Sequence, residues 1–200
     1  RLSLVGSEMC IRDSPFVVPA QYEDKLPDGY TKIHKGVAYV DNAFRLFFKR
    51  FGSEEWFRRT LFVFVADHVS SEKFAAQTRS YPGNYHIIGF MYTPDGALRG
   101  EVSEVVQQLD IMPTLLGLLG NREPYFAFGR DVLNEPQRPQ WSVSWDGAFQ
   151  AVTNDGTIRF DDAQETPAAS SAGESLLQDF RALVQQYYSH AEKKSYIVHD

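Results

Sequence analysis

The chain has 200 residues, of which 43% are hydrophobic and 14% aromatic, and this composition is typical of a globular protein rather than a disordered one. Its formal net charge of −6 argues against nucleic-acid binding, because proteins obtain most of that affinity by neutralising phosphates with basic side chains. No run approaches the roughly 20 apolar residues that span a bilayer, and the single cysteine, Cys10, gives no information about disulfides or compartment.

Residues 1–14 are predicted not to be native protein. They show neither the apolar core of a signal peptide nor a helical period, and the string resembles the translation of a sequencing-library adapter. An irregular natural N-terminus is the alternative. We therefore leave this segment out of the fold prediction and treat residues 15–200 as the protein proper.

The next stretch of the chain predicts an extended segment and then helices. Residues 15–27 are punctuated by proline and are predicted to be extended. Residues 34–51 repeat apolar side chains at helical spacing, and Gly52 is the stop signal. Ser53 is predicted to open a short helical turn, because the acidic side chains that follow it suit the positive end of a helix.

Two apolar runs predict strands of a sheet that is covered on both faces. Residues 60–66 (TLFVFVA) are rich in β-branched and aromatic side chains, and residues 85–92 (YHIIGFMY) form the second run. Unbroken runs of this kind are typical of parallel sheets packed between helices. A turn signal at residues 93–96 (TPDG) ends the second strand.

The second half of the chain predicts a helix, a hairpin region and a terminal helix. Asp110 is predicted to cap the first helix and Gly120 to end it. Residues 141–161 read as short alternating strands with a hairpin turn at residues 154–156 (NDG), followed by a linker at residues 166–173. The predicted terminal helix has one apolar stripe, formed by Leu176, Leu177, Phe180, Leu183, Val184 and Tyr187.

These elements together predict an α/β fold. It is a sandwich of a mostly parallel sheet between helices, completed by a C-terminal antiparallel hairpin region and a packing helix. The sequence contains no internal repeat.

Asp67 and His68 directly follow the first predicted strand and are the strongest chemical signal in the sequence. In open α/β sheets, ligands bind just beyond the carboxyl ends of strands. A carboxylate oxygen and an imidazole nitrogen are both good ligands for divalent metal ions. The alternative is structural, with Asp67 capping the next element and His68 making one hydrogen bond, and the dipeptide alone favours that alternative.

Five segments in order along the chain carry a family resemblance. Residues 60–68 (TLFVFVADH) and 106–120 (VQQLDIMPTLLGLLG) resemble two blocks of the sulfatase and alkaline-phosphatase superfamily. Residues 124–131 (PYFAFGRD) resemble a turn of its lipoteichoic-acid-synthase-like branch, as do residues 15–19 (PFVVP) and 36–41 (GVAYVD). Each segment is weak alone, but the five in register make the resemblance strong.

The resemblance implies an alkaline-phosphatase-like fold of which residues 15–200 are the C-terminal part. It implies that Asp67 and His68 ligate a divalent metal, Mn²⁺ or Mg²⁺, with Zn²⁺ and Ca²⁺ as alternatives. In this family the metal also binds a threonine nucleophile and an acidic residue that lie well upstream, and neither has a counterpart here. We therefore predict that the chain contains no catalytic nucleophile and is inactive alone.

Two positions depart from the family pattern on the substrate side. Ser14 stands where the family has a histidine before Pro-Phe, and His86-Ile-Ile88 replaces a segment that usually reads Arg/His-x-Pro. His86 is the candidate for contacting a bound anion. The alternative is that His86, at the start of a strand, is only half-exposed and hydrogen-bonded.

The function implied by the resemblance is an enzyme that acts on phosphate or sulfate esters, lipid-linked ones among them, by phosphoglycerol transfer or ester hydrolysis. The parent protein is expected to be anchored in a membrane through a missing N-terminal part, with an extracytoplasmic catalytic domain in the periplasm or at the cell surface. One alternative is a soluble sulfatase or phosphodiesterase of the same superfamily. The other is a non-catalytic binding domain that kept the fold without its metal.

Overall fold

The structure is a computed structural model, and it describes residues 16–70, 72, 75–160 and 173–193. The chain divides into two compact units, residues 1–100 and residues 101–200. The segment 1–14, which we predicted to be foreign, lies outside the described residues, as does the predicted linker up to residue 172.

The first unit begins with three helices, which are α1 (Ala20–Glu23), α2 (Lys32–Phe51) and α3 (Glu55–Arg58). The long helix α2 confirms the helix predicted from periodicity. It starts slightly earlier than predicted because the imidazole Nδ1 of His34 lies 3.0 Å from the N–H of Tyr30 and 3.3 Å from that of Thr31 and accepts both. At its end, the N–H of Gly52 donates to the carbonyl of Phe48 at 2.9 Å.

The segment predicted to be extended contains one helical turn, α1. Pro19 precedes this turn with an extended backbone, and its carbonyl accepts the N–H of Tyr22 at 2.8 Å. Proline favours the start of a helix, because the N–H that it lacks has no partner inside the helix there. The prediction of an extended segment was therefore wrong over Ala20–Glu23.

Two short strands, β1 (Phe62–Val65) and β2 (Gly89–Tyr92), pair antiparallel, which corrects the predicted parallel sheet. Parallel neighbours need a crossover connection, usually an α-helix. Where the structure describes residues 66–88, they hold only two 3₁₀ turns, Ala76–Arg79 and Gly83–Tyr85. Without a crossover helix on the way back, the chain returns antiparallel.

Helix α2 packs aromatic side chains against this strand pair. The ring centroids of Phe44 and Phe64 are 5.1 Å apart, and those of Phe48 and Tyr92 are 5.4 Å apart. Val65 is 45% exposed and Phe90 is 53% exposed, so the pair is not covered on both faces as predicted. The apolar run therefore reflects packing on one aromatic helix rather than a sheet between two helical layers.

The second unit begins with a 3₁₀ turn, Gln108–Asp110, that runs directly into α4 (Ile111–Leu118). Asp110 is therefore already in a helical conformation, and its side chain does not cap α4 as we predicted. Gly120 ends the helix as predicted, with a φ of +70° that favours glycine. The N–H of Asn121 then donates to the carbonyl of Leu116 at 2.9 Å.

The predicted hairpin region is confirmed as an antiparallel sheet of β3 (Trp141–Trp145), β4 (Phe149–Thr153) and β5 (Gly156–Phe160), in that order. The predicted packing helix is confirmed as α5 (Gly173–Lys193). One core joins helix and sheet, and it consists of Trp141, Ala151, Ile158, Leu177, Phe180 and Val184. None of the helices in the described part of the chain has the length and apolar content needed to cross a bilayer.

Candidate functional site

Asp67 and His68 lie just beyond the end of β1, where the sequence placed them. The ladder between β1 and β2 extends one step past Val65, because the N–H of Ala66 donates to the carbonyl of Ile88 at 3.0 Å. The next two side chains then emerge into solvent, with Asp67 48% exposed and His68 58% exposed. They are accessible to a ligand.

The two side chains converge on each other. Oδ2 of Asp67 lies 3.4 Å from Nε2 of His68, while Oδ1 of Asp67 accepts the backbone N–H of His68 at 2.9 Å. Nδ1 of His68 lies 2.7 Å from the carbonyl oxygen of Val69. A carbonyl only accepts, so this hydrogen bond places a proton on Nδ1. Nε2 is the ring nitrogen that faces Asp67.

His86 comes to the same end of the strand pair. It lies two positions before Ile88, whose carbonyl pairs with Ala66 directly before the Asp67-His68 pair. Its side chain is exposed, and its backbone N–H donates to Gly83 at 3.2 Å. The antiparallel return of the chain thus brings the backbone of His86 to the strand end at which the pair emerges. Ser14, the other position that departs from the family pattern, lies outside the described residues.

Asp110 and Arg130 are joined by a buried hydrogen bond that was not predicted from the sequence. Both residues are only 3% exposed. The carboxylate of Asp110 accepts the backbone N–H of Arg130 at 2.8 Å and that of Gln107 at 3.0 Å. Burial raises the pKa of Asp110, against the opposing effect of these hydrogen bonds and of the Arg130 charge.

Thr114 ties the same two segments together. Its hydroxyl donates to the carbonyl of Asp110 at 2.7 Å and accepts the N–H of Val132 at 3.0 Å. Buried hydrogen bonds therefore connect the block at residues 106–120 with the block at residues 124–131 and the residue that follows it. The motif resemblance in both blocks was the available signal, but it could not show that they meet.

A comparison with models of protein families identifies the family of the chain. The family model described as Sulfatase matches residues 14–121, which is just over half of the 200 residues. The chain belongs to the sulfatase family. The match includes Asp67, His68 and His86. Neither the curated proteins nor the solved structures include a match to this chain.

Membership of the sulfatase family points to an ester-cleaving type of enzyme, and such enzymes generally use a divalent metal ion. The Asp67-His68 pair fits part of such a site. Two ligand atoms about 2.1 Å from one ion, at octahedral to tetrahedral angles, lie about 3.0 to 3.4 Å apart. The observed 3.4 Å between Oδ2 and Nε2 falls at the upper end of that interval.

The described residues supply only this part of a metal site. Among them, no group of three or more histidine, cysteine, aspartate or glutamate side chains could hold a metal ion. A catalytic zinc site keeps three protein ligands, and magnesium and calcium take six or more oxygen ligands including water. The pair therefore supplies two of the ligands that a catalytic ion takes.

A cavity of the first unit lies away from this site. It has a volume of about 400 Å³ and is lined in part by Tyr92, which pairs with Phe62 at the opposite end of the two strands. Neither Asp67 nor His68 lines it.

Proposed function

We propose that the chain is the C-terminal part of a metal-dependent sulfatase-family enzyme that acts on phosphate or sulfate esters. The observation that carries the proposal is the convergence of Oδ2 of Asp67 and Nε2 of His68 at 3.4 Å within the family-matched residues. Both atoms face each other at the exposed end of β1, where a substrate can reach a bound ion. Mn²⁺ or Mg²⁺ is the proposed ion, with Zn²⁺ and Ca²⁺ as alternatives.

Each side chain has a defined role in this proposal. A bound divalent ion supplies positive charge that activates a hydroxyl nucleophile and neutralises the oxygens of the ester. Asp67 offers one carboxylate oxygen as a ligand, while its other oxygen is fixed by the N–H of His68. The carbonyl of Val69 holds the proton of His68 on Nδ1, which orients Nε2 as the second ligand.

His86 is proposed to contact the anionic part of the substrate. The pairing of Ile88 with Ala66 brings His86 to the strand end at which Asp67 and His68 emerge. An exposed imidazole there can donate a hydrogen bond to a phosphate or sulfate oxygen. Its role is binding rather than proton transfer.

We further propose that the nucleophile and the remaining ligands belong to an upstream part of a longer parent. In the family the nucleophile is a threonine, and the segments that resemble the lipoteichoic-acid-synthase-like branch favour phosphoglycerol transfer to or from a lipid-linked substrate. That branch also favours a membrane-anchored parent with an extracytoplasmic catalytic domain. On this proposal the 200-residue chain alone turns over no ester.

The test uses the parent protein with its upstream residues restored. Its rate should be measured with Mn²⁺ on a chromogenic phosphodiester and on an aryl sulfate, in the native form and in the Asp67→Asn and His68→Gln variants. Each variant should lose at least about 100-fold in rate, since even substitutions that only support metal ligands cost about 10- to 100-fold. Asp155→Asn, in an exposed hairpin turn, is the matched control and should keep full activity.

The outcomes separate the alternatives. Preference for the aryl sulfate would replace phosphoglycerol transfer by sulfatase activity at the same site. Full activity in His68→Gln would remove the metal-ligand assignment. A parent that lacks any threonine or acidic ligand upstream, and turns over neither ester, would support a non-catalytic binding domain.

A further inference from the structure

The first unit contains a cavity for which the proposed esterase chemistry gives no role. It has a volume of about 400 Å³, which lies within the usual range for small-molecule sites. It is formed by the end of α2, the helix α3, and the turn after β2. Its lining consists of Phe48, Gly52, Phe57, Arg58, Tyr92, Pro94 and Asp95.

Aromatic rings supply much of the cavity wall. Phe48 lies 5.5 Å from Phe57 and 5.4 Å from Tyr92 between ring centroids, and both pairs are close to perpendicular. Phe57 is buried at 3% exposure, whereas Tyr92 keeps 38% of its surface open. The buried rings pack on one another, so Tyr92 is the ring of this lining with the most open surface. The face of an aromatic ring attracts cations.

Negative charge adjoins these rings. Oδ1 of Asp95 is fixed by the N–H of Ala97 at 3.0 Å, which also lowers the pKa of this carboxyl and keeps it ionised at neutral pH. Gly52, the C-cap of α2, lines the same cavity. The C-terminal end of a helix carries partial negative charge, and in α2 the basic side chains of Lys49 and Arg50 in the last turn oppose it. Arg58 is the one basic side chain in the lining.

This combination selects among ligand classes. An anion without a cationic group would be repelled by Asp95 and by the ring faces. An inorganic cation needs several oxygen ligands, and the lining offers one carboxylate. A purely apolar ligand would cover Asp95 and Arg58 without pairing either charge. A small zwitterion with an organic ammonium group satisfies the rings and both charges.

We propose that this cavity binds a small zwitterion of the betaine class, with its ammonium group against the open surface of Tyr92 and against Asp95, and with its anionic group at Arg58. The site is separate from the proposed metal site and does not depend on it. Tyr92 stands opposite Phe62 at one end of the strand pair, and Asp67 follows the other end.

The test is isothermal titration of the 200-residue chain, without metal, with three probes. Glycine betaine carries both charges, choline carries the ammonium alone, and tert-butylacetate has the shape of betaine with carbon in place of the charged nitrogen. Betaine should bind more tightly than tert-butylacetate by about 3- to 30-fold, the range expected for a cation over aromatic rings. Equal binding of these two probes, or no heat from betaine up to its solubility limit, overturns the proposal.

Two substitutions of exposed residues test the roles of the Asp95 carboxylate and the Arg58 guanidinium one at a time. Asp95→Asn keeps an oxygen for the Ala97 N–H but removes the charge, so the binding of betaine and of choline should both weaken, by up to about 5-fold for an exposed charge pair. Arg58→Gln should weaken betaine and leave choline unchanged. Asp155→Asn and Arg159→Gln, in the second unit, are the matched controls and should bind as the native chain does. Unaltered betaine binding in Asp95→Asn would overturn the assignment, provided that circular dichroism shows the variant folded.

His68→Gln distinguishes this proposal from the esterase proposal. It should leave betaine binding intact, because His68 does not line the cavity. Loss of betaine binding in this folded variant would contradict a separate site. Loss of ester turnover in the parent with betaine binding retained is the expected combination.

Discussion

Asp110 shows how one buried carboxylate can organise a family motif through backbone hydrogen bonds. Its two oxygens accept the backbone N–H groups of Arg130 and Gln107, at 2.8 and 3.0 Å. Buried N–H groups without an acceptor are costly, so this side chain replaces an acceptor that the irregular backbone around it does not provide. We predicted that Asp110 caps α4. In that role its side chain would have accepted N–H groups of that helix alone.

The pH dependence of stability follows from the burial of Asp110. Burial raises its pKa above the ordinary value of 3.8, so the folded chain binds a proton more readily than the unfolded chain. The contribution of Asp110 to the free energy of unfolding is therefore complete at low pH. It is lost as the pH rises from 3.8 through the raised pKa. In Asp110→Asn this titration is absent, and an amide donor faces one of the two N–H groups.

Urea unfolding of both forms between about pH 3 and pH 7 measures this effect. The native chain should be more stable than Asp110→Asn by about 1 to 3 kcal/mol at neutral pH, the cost of an unsatisfied buried group. The difference in free energy of unfolding between the native chain and Asp110→Asn should be larger near pH 3 than near pH 7. An advantage that grows as the pH rises would show that the ionised carboxylate is favoured by its surroundings, contrary to the raised pKa.

Gly129 is predicted to be intolerant of a side chain. A Cβ at this position would collide with the backbone carbonyl of Leu109 and approach the nitrogen of Asp110, and backbone atoms cannot swing away. Gly129→Ala should therefore lower the free energy of unfolding by about 1 to 3 kcal/mol. Gly89→Ala is the control, because its nearest neighbour, the carbonyl oxygen of Phe64, lies 3.7 Å away in ordinary contact. Equal urea midpoints for the two variants would contradict the close approach at Gly129.

The candidate metal ligands could be predicted from the sequence because their signal is local. Asp67 and His68 are adjacent, and an apolar run directly before them fixes their place at a strand end. The Asp110 to Arg130 contact could not be predicted, since it joins residues 20 positions apart through backbone N–H groups. Side-chain types do not report where a backbone N–H points.

At the scale of elements, α5 is expected to carry much of the stability of the second unit. Phe180 is fully buried and lies 5.9 Å from Trp141 between ring centroids. Phe180→Ala should cost about 3 to 5 kcal/mol, because it removes a large buried side chain and leaves a cavity. Gln186→Ala, on the exposed side of the same helix, should stay within about 0.5 kcal/mol of the native chain.

Hydrogen exchange followed by mass spectrometry locates the effect of Phe180→Ala. Amides of β3 to β5 should exchange faster in this variant, because the sheet packs its apolar face on α5. The same amides should be unaffected in Gln186→Ala. Unchanged protection of the sheet in Phe180→Ala would show that α5 is not its main support.

The elements that the sequence predicted well are those with a strong period or a glycine stop. The helix over residues 34–51, the NDG hairpin turn and the terminal apolar stripe were all confirmed. The parallel sheet was wrong because an apolar run records burial but not the direction of its neighbour. That direction depends on the connection, and residues 66–88 form 3₁₀ turns where a parallel pair would need a crossover.

At the scale of the whole molecule, the first unit carries the candidate ligands and the second carries most of the buried core. The buried core residues that cluster together lie between Trp141 and Val184, all within the second unit. In the first unit the strand pair keeps Val65 and Phe90 more than one-third exposed. This exposed strand pair agrees with the proposal that ligands and packing surfaces of an upstream segment complete the first unit in the parent.

Metal-linked stability tests that proposal, because a ligand stabilises the fold only as far as it binds. If Asp67 and His68 alone hold Mn²⁺ with a Kd of about 1 mM, then 1 mM Mn²⁺ should stabilise the 200-residue chain by only about 0.4 kcal/mol. In the parent, a complete site with a Kd of about 1 µM should give about 4 kcal/mol under the same conditions. Thermal unfolding with and without Mn²⁺ measures both, and His68→Gln should abolish the effect in each. A shift in the chain as large as that in the parent would mean that these 200 residues already build the whole metal site, and the upstream ligands would then be unnecessary.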